Sequence, residues 1–233
     1  MKVAIHQPNF IPWIGYFHKM ANCDIFVILD SAQYEKNAFC NRTKIKTAQG
    51  GQWLTLPIET AGKVQQRILE AKIQNPKTNL PKCIKTIELN YKRAEYFDYL
   101  FPELKEILKK DWQYLSELNI ALIELIKDKL GIKTRLEIAS NYNVSGKSTE
   151  LLINISKIFN ADVYLSGGGG EKYQDEKAYE ESGIKLEYSD FIHPIYPQLW
   201  GEFIPNLSII DLLFDCGPDS LKIILGNNRS NKL

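Results

Sequence analysis

His6, Gln7 and Asn9 follow directly on the apolar run Val3-Ala4-Ile5, with Pro8 breaking the chain between them. An imidazole and two carboxamides at the end of a buried strand all need hydrogen-bond partners, so they hold one another and the turn or they face a ligand. A second group gathers in Tyr34, Glu35, Lys36 and Asn37 with Asn41, Arg42, Thr43 and Lys44. Cations and amides crowded into one loop suit phosphate, because a guanidinium fork matches its oxygens and an ammonium is a compact countercharge. Arg42 and Lys36 are the candidate phosphate ligands, with Tyr34 and Asn41 beside them, whereas Lys46 reads as part of a solvated face.

The third group is Ser166-Gly167-Gly168-Gly169-Gly170, after an apolar segment and before a helical one. Glycines permit positive φ and bare their N–H groups, and a helix amino terminus adds partial positive charge; together they predict an anion cradle. The competing reading is a plain turn capped by Ser166 or a glycine, and Glu171 and Asp175 would repel an anion. Ser145-Gly146-Lys147-Ser148 imitates the end of a phosphate-binding loop, but Asn141 stands where that pattern needs its first glycine. Lys147 can still reach a phosphate from the start of the next helix, or remain solvated. His193, between Phe191 and Pro194, titrates near neutrality and joins His6 as a candidate general base; a packed loop histidine is the alternative. His18, among apolar residues on a helix, reads as structural.

Other chemistries lack support. No Gly-x-Ser-x-Gly, HExxH or GxGxxG occurs. Cys23, Cys40, Cys83 and Cys216 lie far apart without CxxC spacing, beside only three histidines, so neither a zinc site nor a redox pair is indicated and no metal ligands are assigned. Cys40 lies among polar residues with no neighbouring histidine to activate it.

The elements that position these residues alternate. Lys2 to Ile5 reads as a strand, a helix follows Pro12 through Trp13, Phe17 and Met20, and Asp24 to Asp30 gives a second strand. A β-α-β opening implies a parallel pair whose carboxyl ends face the ligand, which puts His6, Gln7, Asn9 and Asp30 on one rim. Asn41 to Thr47 and Gln52 to Ile58 predict a hairpin closed by Gly50-Gly51. A further strand is expected near Ile68 to Ile73. Apolar spacing between about 79 and 131 predicts a helical insert broken at Pro102 and Asp111. The rhythm then resumes with a strand at Arg135 to Ala139, a helix near 148–159, a strand at Asp162 to Leu165, a helix near 171–182 and a strand at Lys185 to Tyr188. The fold class is therefore α/β: a parallel sheet with helices on both faces, as one domain over 1–226 and a mobile tail at 227–233.

With 233 residues, 44% of them hydrophobic, and 29 Lys plus Arg against 28 Asp plus Glu, the chain has a packed core and no global field for duplex DNA or an anionic membrane. No apolar run reaches the roughly 18 residues of a membrane span, and no secretion signal is evident, so a cytoplasmic protein is expected.

The segments AIHQPNFIPWIGYFHKM, DIFVILDSAQYEKNAFCNRTKIKT, WLTLPI, YLSGGGGEKYQDE and HPIYPQ with FIPNLSIIDLLFDCG resemble the WbqC-like family over nearly the whole chain. Members occur with O-antigen and other bacterial surface-polysaccharide genes, and some are proposed to transfer glycine to an amino sugar. The resemblance implies an aminoacyl, possibly glycyl, transferase or ligase acting on the amine of a nucleotide-linked amino sugar in lipopolysaccharide synthesis. Its acyl donor would be an amino acid activated by ATP with Mg, an aminoacyl-tRNA or a thioester. The opening unit also resembles class I nucleotidyltransferases and pantothenate synthetase, but Trp13-Ile14-Gly15-Tyr16 stands in place of their HxGH, so both histidines are missing. A different ATP-dependent activity and a non-catalytic sugar-nucleotide-binding partner in glycan assembly stay open as alternatives.

Overall fold

Val3, Ala4 and Ile5 are apolar in unbroken succession because both faces of their strand, β1 (Lys2–His6), are covered. The computed structural model describes residues 1–63, 65–172 and 174–226, so the tail expected at 227–233 lies outside it. β1 is central in a five-stranded parallel sheet with β2 (Ile25–Ile28), β5 (Arg135–Ile138), β6 (Val163–Ser166) and β7 (Lys185–Tyr188), in the order β5-β2-β1-β6-β7. The chain moves outward on one side of β1 and then crosses to the other, so the topological switch lies between β1 and β6. In open sheets of this kind the ligand crevice opens there, beyond the carboxyl ends.

Alternate residues serve two layers. Ala4, Phe26, Ile28 and Leu165 join the larger core, with α1 (Ile14–Ala21), α7 (Ile209–Cys216) and α8 (Ser220–Ile224). Val3, Ile5, Ile25, Val27 and Tyr164 meet α5 (Ser148–Ile158) and α6 (Glu176–Ser182) on the opposite face. The insert forms α2 (Pro76–Tyr91), α3 (Phe97–Lys109) and α4 (Leu115–Leu130), whose apolar stripes belong to the same cluster as Ala4 and Phe26.

Three local expectations need correction. The hairpin, β3 (Arg42–Thr47) and β4 (Gly50–Thr55), turns at Ala48 and Gln49; Gly50 and Gly51 already pair with Thr47 and Lys46. Gly51 is small because the Lys44 stem crosses it. Ile68 to Glu70 is a 3-10 turn rather than a strand, closed where the Arg67 N–H donates to the Glu70 carboxylate at 2.9 Å. Pro102 lies inside α3 instead of ending a helix. It forfeits one early backbone bond, which burial of Leu100, Phe101 and Leu104 outweighs.

Lys46 is likewise not solvated. It is fully buried, its Nζ donates to Gln198 Oε1 at 3.0 Å and to the Glu202 carbonyl, and its N–H donates to Tyr91 Oη at 2.8 Å. Tyr91 and Tyr196 each donate a hydroxyl to Asp211, both at 2.9 Å. This network fastens residues 196–202 to the hairpin, α2 and α7.

Burial raises the Asp211 carboxyl to about 6 and that of Asp215 to about 7, the latter helped by Asp211. Asp215 Oδ2 is buried with no partner among the described residues. A carboxyl whose folded pKa exceeds its unfolded value near 3.9 holds its proton longer in the folded state. That stabilisation is complete below about pH 4 and is lost as pH rises through 6 and 7. Urea unfolding from pH 4.5 to 8 should therefore show stability falling on this account, and Asp215→Asn should recover on the order of 1–3 kcal/mol at pH 8 and little at pH 4.5. An unchanged pH slope in the variant would remove Asp215 from the effect.

Candidate functional site at the carboxyl rim of the sheet

His6 ends β1 with its ring on the α1 face, edge-on to Tyr16 at 4.7 Å between centroids. Its Nδ1 lies 3.2 Å from the Gln7 carbonyl, which assigns the proton to Nδ1 and the lone pair to Nε2. Burial, then the neighbouring Lys19 ammonium, pull its pKa down to about 3, with the Gln7 bond opposing. The imidazole is thus neutral at working pH. Lys19 is itself buried, donates to the Ile5 carbonyl at 2.9 Å, and is pushed down to about 8 by burial.

Beyond His6 the chain folds around Cys40. The Cys40 thiol points to Gln7 Oε1 at 3.4 Å and to Asn9 Oδ1 at 3.9 Å. Burial, with Glu35 adding to it, raises this thiol to about 12, so it is a weak donor and not a nucleophile. Asn119, fully buried on α4, donates Nδ2 to the carbonyls of Pro8 and Cys40, both at 2.8 Å. Asn41 Nδ2 donates to the Leu56 carbonyl at 3.0 Å. Tyr34 is buried, its N–H donates to the Gln66 carbonyl, and burial with the nearby Cys40 raises its hydroxyl to about 12.

Four polar atoms here have no partner among the described residues: Tyr16 Oη, Asn41 Oδ1, Asn119 Oδ1 and Arg42 Nε. Buried polar atoms are nearly always paired, and each orphan costs about 1–3 kcal/mol. Asn119 and Asn41 carry theirs beside Cys40 and the turn at Pro8, which makes this end of β1 the candidate site. Two are carboxamide oxygens whose orientation is fixed by what the matching Nδ2 donates to. Tyr16 was visible in the sequence as the last residue of the segment standing for HxGH. Asn119 was visible as a polar residue on an apolar helical stripe with Leu115, Leu118, Leu122 and Ile126.

The tetraglycine segment reaches the same rim by strand pairing. Ala4 pairs with Leu165, so two residues further along that register Gly167 leaves β6 level with His6. Ser166 is buried and its hydroxyl meets the Gly167 carbonyl at 3.3 Å. The expected cradle on a helix end is not formed. Residues Gly168–Lys172 make a 3-10 turn, α6 starts only at Glu176, and the Asp175 carboxylate occupies its amino terminus by accepting from the Ala178 N–H at 3.2 Å. None of the four glycines has positive φ. A Cβ at Gly167 or Gly169 would meet nothing, one at Gly168 would be 3.7 Å from the Ser189 carbonyl, and one at Gly170 would run into Ser166 Oγ. The fold therefore demands glycine only at 170.

Lys147 stands apart from the other expected residues. Lys147 is exposed in a groove of about 580 Å³ between α5 and α6, lined also by Thr149, Asp175 and Glu181 but not by His6, Gln7, Asn9 or Arg42. Ser148 is its positive-φ neighbour and does not cap the helix. Lys36 is exposed on its loop and enters no ion pair among the described residues.

His193 is a correction of role. Its Nδ1 lies 2.8 Å from the Pro194 carbonyl and its Nε2 accepts from the Asn206 N–H at 3.0 Å, so no lone pair is left for a proton. Burial lowers its pKa further. Its ring stands among Phe191, Tyr196 and Phe203, as a packed loop histidine would. His18 reaches Ser189 Oγ with Nδ1 at 3.2 Å and packs on Phe191.

In urea denaturation Gly170→Ala should lose about 1–3 kcal/mol through the clash with Ser166, and Gly169→Ala should stay within about 0.5 kcal/mol of wild type. Equal losses would mean the turn needs glycine throughout.

No solved structure matches the chain. A relative in Mycobacterium tuberculosis (strain ATCC 25618 / H37Rv), the uncharacterized protein Rv1507c, is 40% identical over 227 residues, which span 95% of this chain and 97% of that protein. The model of the WbqC-like protein family matches residues 7–223, from the Gln7 that begins the rim to the helix that closes the core. The chain is a member of the WbqC-like protein family.

Proposed function

We propose that this chain is an aminoacyl transferase or ligase, with glycyl as the favoured acyl group, acting on the amine of a nucleotide-linked amino sugar for a bacterial surface glycan. One observation carries the proposal: the unpartnered buried atoms at the carboxyl end of β1. Asn41 Oδ1, Asn119 Oδ1 and the His6 Nε2 lone pair accept, as hydroxyl and amine groups of a sugar require. Tyr16 Oη and Arg42 Nε donate, as a carbonyl or phosphate requires. The sugar-glycan context comes from the family resemblance, and the switch-point position between β1 and β6 supports a nucleotide-bearing ligand.

Acylation joins the amine nitrogen to the acyl carbon while the leaving group departs with its electron pair, and the proton shed by the nitrogen passes to water or to the leaving group. His6, held neutral by burial, accepts a hydrogen bond from the amine and keeps it as the free base, facing the carbonyl. Tyr16 Oη donates to the oxygen that becomes negative in the tetrahedral intermediate. Gln7 and Asn9 line the approach, their amide orientation set by the Cys40 thiol. If the donor is ATP with an amino acid, Mg²⁺ enters on the nucleotide phosphates, where it is commonly held. Gly167, Gly168 and Gly169 leave their backbone open to such a group.

Purified protein incubated with UDP- or dTDP-linked amino sugars, glycine and ATP should yield a mass gain of one aminoacyl residue. Pyrophosphate release should require the amino acid and sustained AMP release both amino acid and amine; product without free ATP, from aminoacyl-tRNA or a thioester, identifies the donor instead. Tyr16→Phe should lower kcat about 10²-fold while leaving stability unchanged or higher, since it removes an orphaned hydroxyl. Cys40→Ala should lower activity no more than about tenfold, since the thiol orients two amides and is not a nucleophile. Sugar-nucleotide binding without any acylation, unaffected by His6→Ala, would establish a binding partner and overturn the enzyme.

A further inference from the structure

Among the exposed large apolar side chains of the described residues, two are Phe39 and Trp53, 54% and 46% exposed, and they lie side by side with ring centroids 6.0 Å apart. Water-facing aromatic pairs are uncommon, because each ring could bury well over 100 Å². The Arg42 guanidinium lies over the Trp53 ring at 4.2 Å, and its Nε is buried without a partner. Arg42 and Lys44 alternate onto the same face of the hairpin, where Trp53 is paired with Lys44, and neither cation enters an ion pair among the described residues. Between Arg42 and Thr55 the chain has no carboxylate, and with Lys46 buried its cations on this face are Arg42 and Lys44. The face is thus aromatic and positive, which suits a flat ring joined to an anion.

Its anchoring is rigid and leads to the rim. The Phe39 carbonyl accepts from the Phe10 N–H at 2.9 Å, one residue beyond Asn9. Thr43 Oγ1 donates to the Ile11 carbonyl at 3.0 Å, and Asn41 and Leu56 exchange bonds at the base of the hairpin. The aromatic pair is therefore fastened to the chain segment that follows Asn9.

We propose that this hairpin face is a nucleoside diphosphate subsite: the base stacks on Phe39 and Trp53, and Arg42 with Lys44 holds the diphosphate. Stacking on aromatic rings tolerates any base, so the face recognises the class rather than one nucleotide. Arg42, fixed by the indole, presents its guanidinium from a set position to the phosphate oxygens. The subsite rests on the reading that the rim takes a nucleotide-linked substrate, and it names the half of that substrate which the rim itself does not hold.

Isothermal titration with UDP, ADP and inorganic pyrophosphate, none of them an acylation substrate, tests it. UDP and ADP should both bind, and Trp53→Ala and Phe39→Ala should each weaken them about tenfold while changing pyrophosphate binding less than twofold. Arg42→Lys should weaken all three, because the fork is lost and the charge is kept. Both rings are exposed, so folding is preserved, which a circular dichroism melt checks. Nucleotide affinity within twofold of wild type in Trp53→Ala, or no binding of UDP and ADP, overturns the subsite. So does burial of the rings between two copies, seen as a dimer that Trp53→Ala dissolves. A protein that binds UDP through these rings yet acylates nothing would sink the transferase and leave the subsite standing.

Discussion

The carboxamide of Asn119 is the fastening on which the rim depends. A parallel strand buried on both faces must end somewhere, and its last residues carry backbone groups that neither helix nor sheet can satisfy. At the end of β1 two such carbonyls, of Pro8 and Cys40, belong to segments more than thirty residues apart and both accept from one nitrogen on α4. The helical insert is thereby part of the site. Without α4 the segment holding Gln7 and Asn9 would have no fixed relation to the segment holding Cys40, Asn41 and Arg42.

That fastening explains how the site tolerates unpaired polar atoms. An orphaned donor or acceptor is retained only where surrounding structure over-determines its place. Here the Nδ2 atoms of Asn119 and Asn41 are both committed to carbonyls, so their oxygens are aimed by geometry that has already been satisfied. Tyr16 is held by packing against His6, Phe17 and Phe26. At the start of the same helix, the Trp13 indole lies where any side chain on Gly15 would sit. The glycine at that position is explained by the indole, and does not require the phosphate contact that an HxGH motif would imply.

Much of this was legible in the sequence, and the failures have physical causes. Uninterrupted apolar runs marked β1, β2 and β6, helical spacing marked the insert, and the polar cluster after Ile5 marked the rim. Lys46 was misjudged because strand alternation cannot foresee a loop 150 residues away that covers it and supplies Gln198 and the Glu202 carbonyl. His193 passed as a base because its type is readable and its Asn206 partner is not. The tetraglycine run suggested a helix cradle because composition does not show that Asp175, rather than glycine, would take the helix end. Lys147 is expected at the rim as the start of a helix that could reach a phosphate, but that helix, α5, packs on the face of the sheet opposite the His6 ring.

The low basicity of His6 limits the role it can take in the proposed reaction. A general base works best with a pKa near the working pH, and an imidazole held at about 3 beside a buried ammonium is a poor proton acceptor. Amide formation from an activated acyl group does not need a strong one: once nitrogen has added to the carbonyl it is an ammonium, acidic enough to lose its proton readily. The demanding requirement is earlier, that the amine arrive unprotonated and aligned. In the proposed reaction Lys19 would contribute there by repelling positive charge, disfavouring an ammonium as it disfavours the His6 imidazolium. In the proposed reaction the buried lysine that weakens His6 as a base would therefore favour the free amine, and the site would act chiefly by positioning.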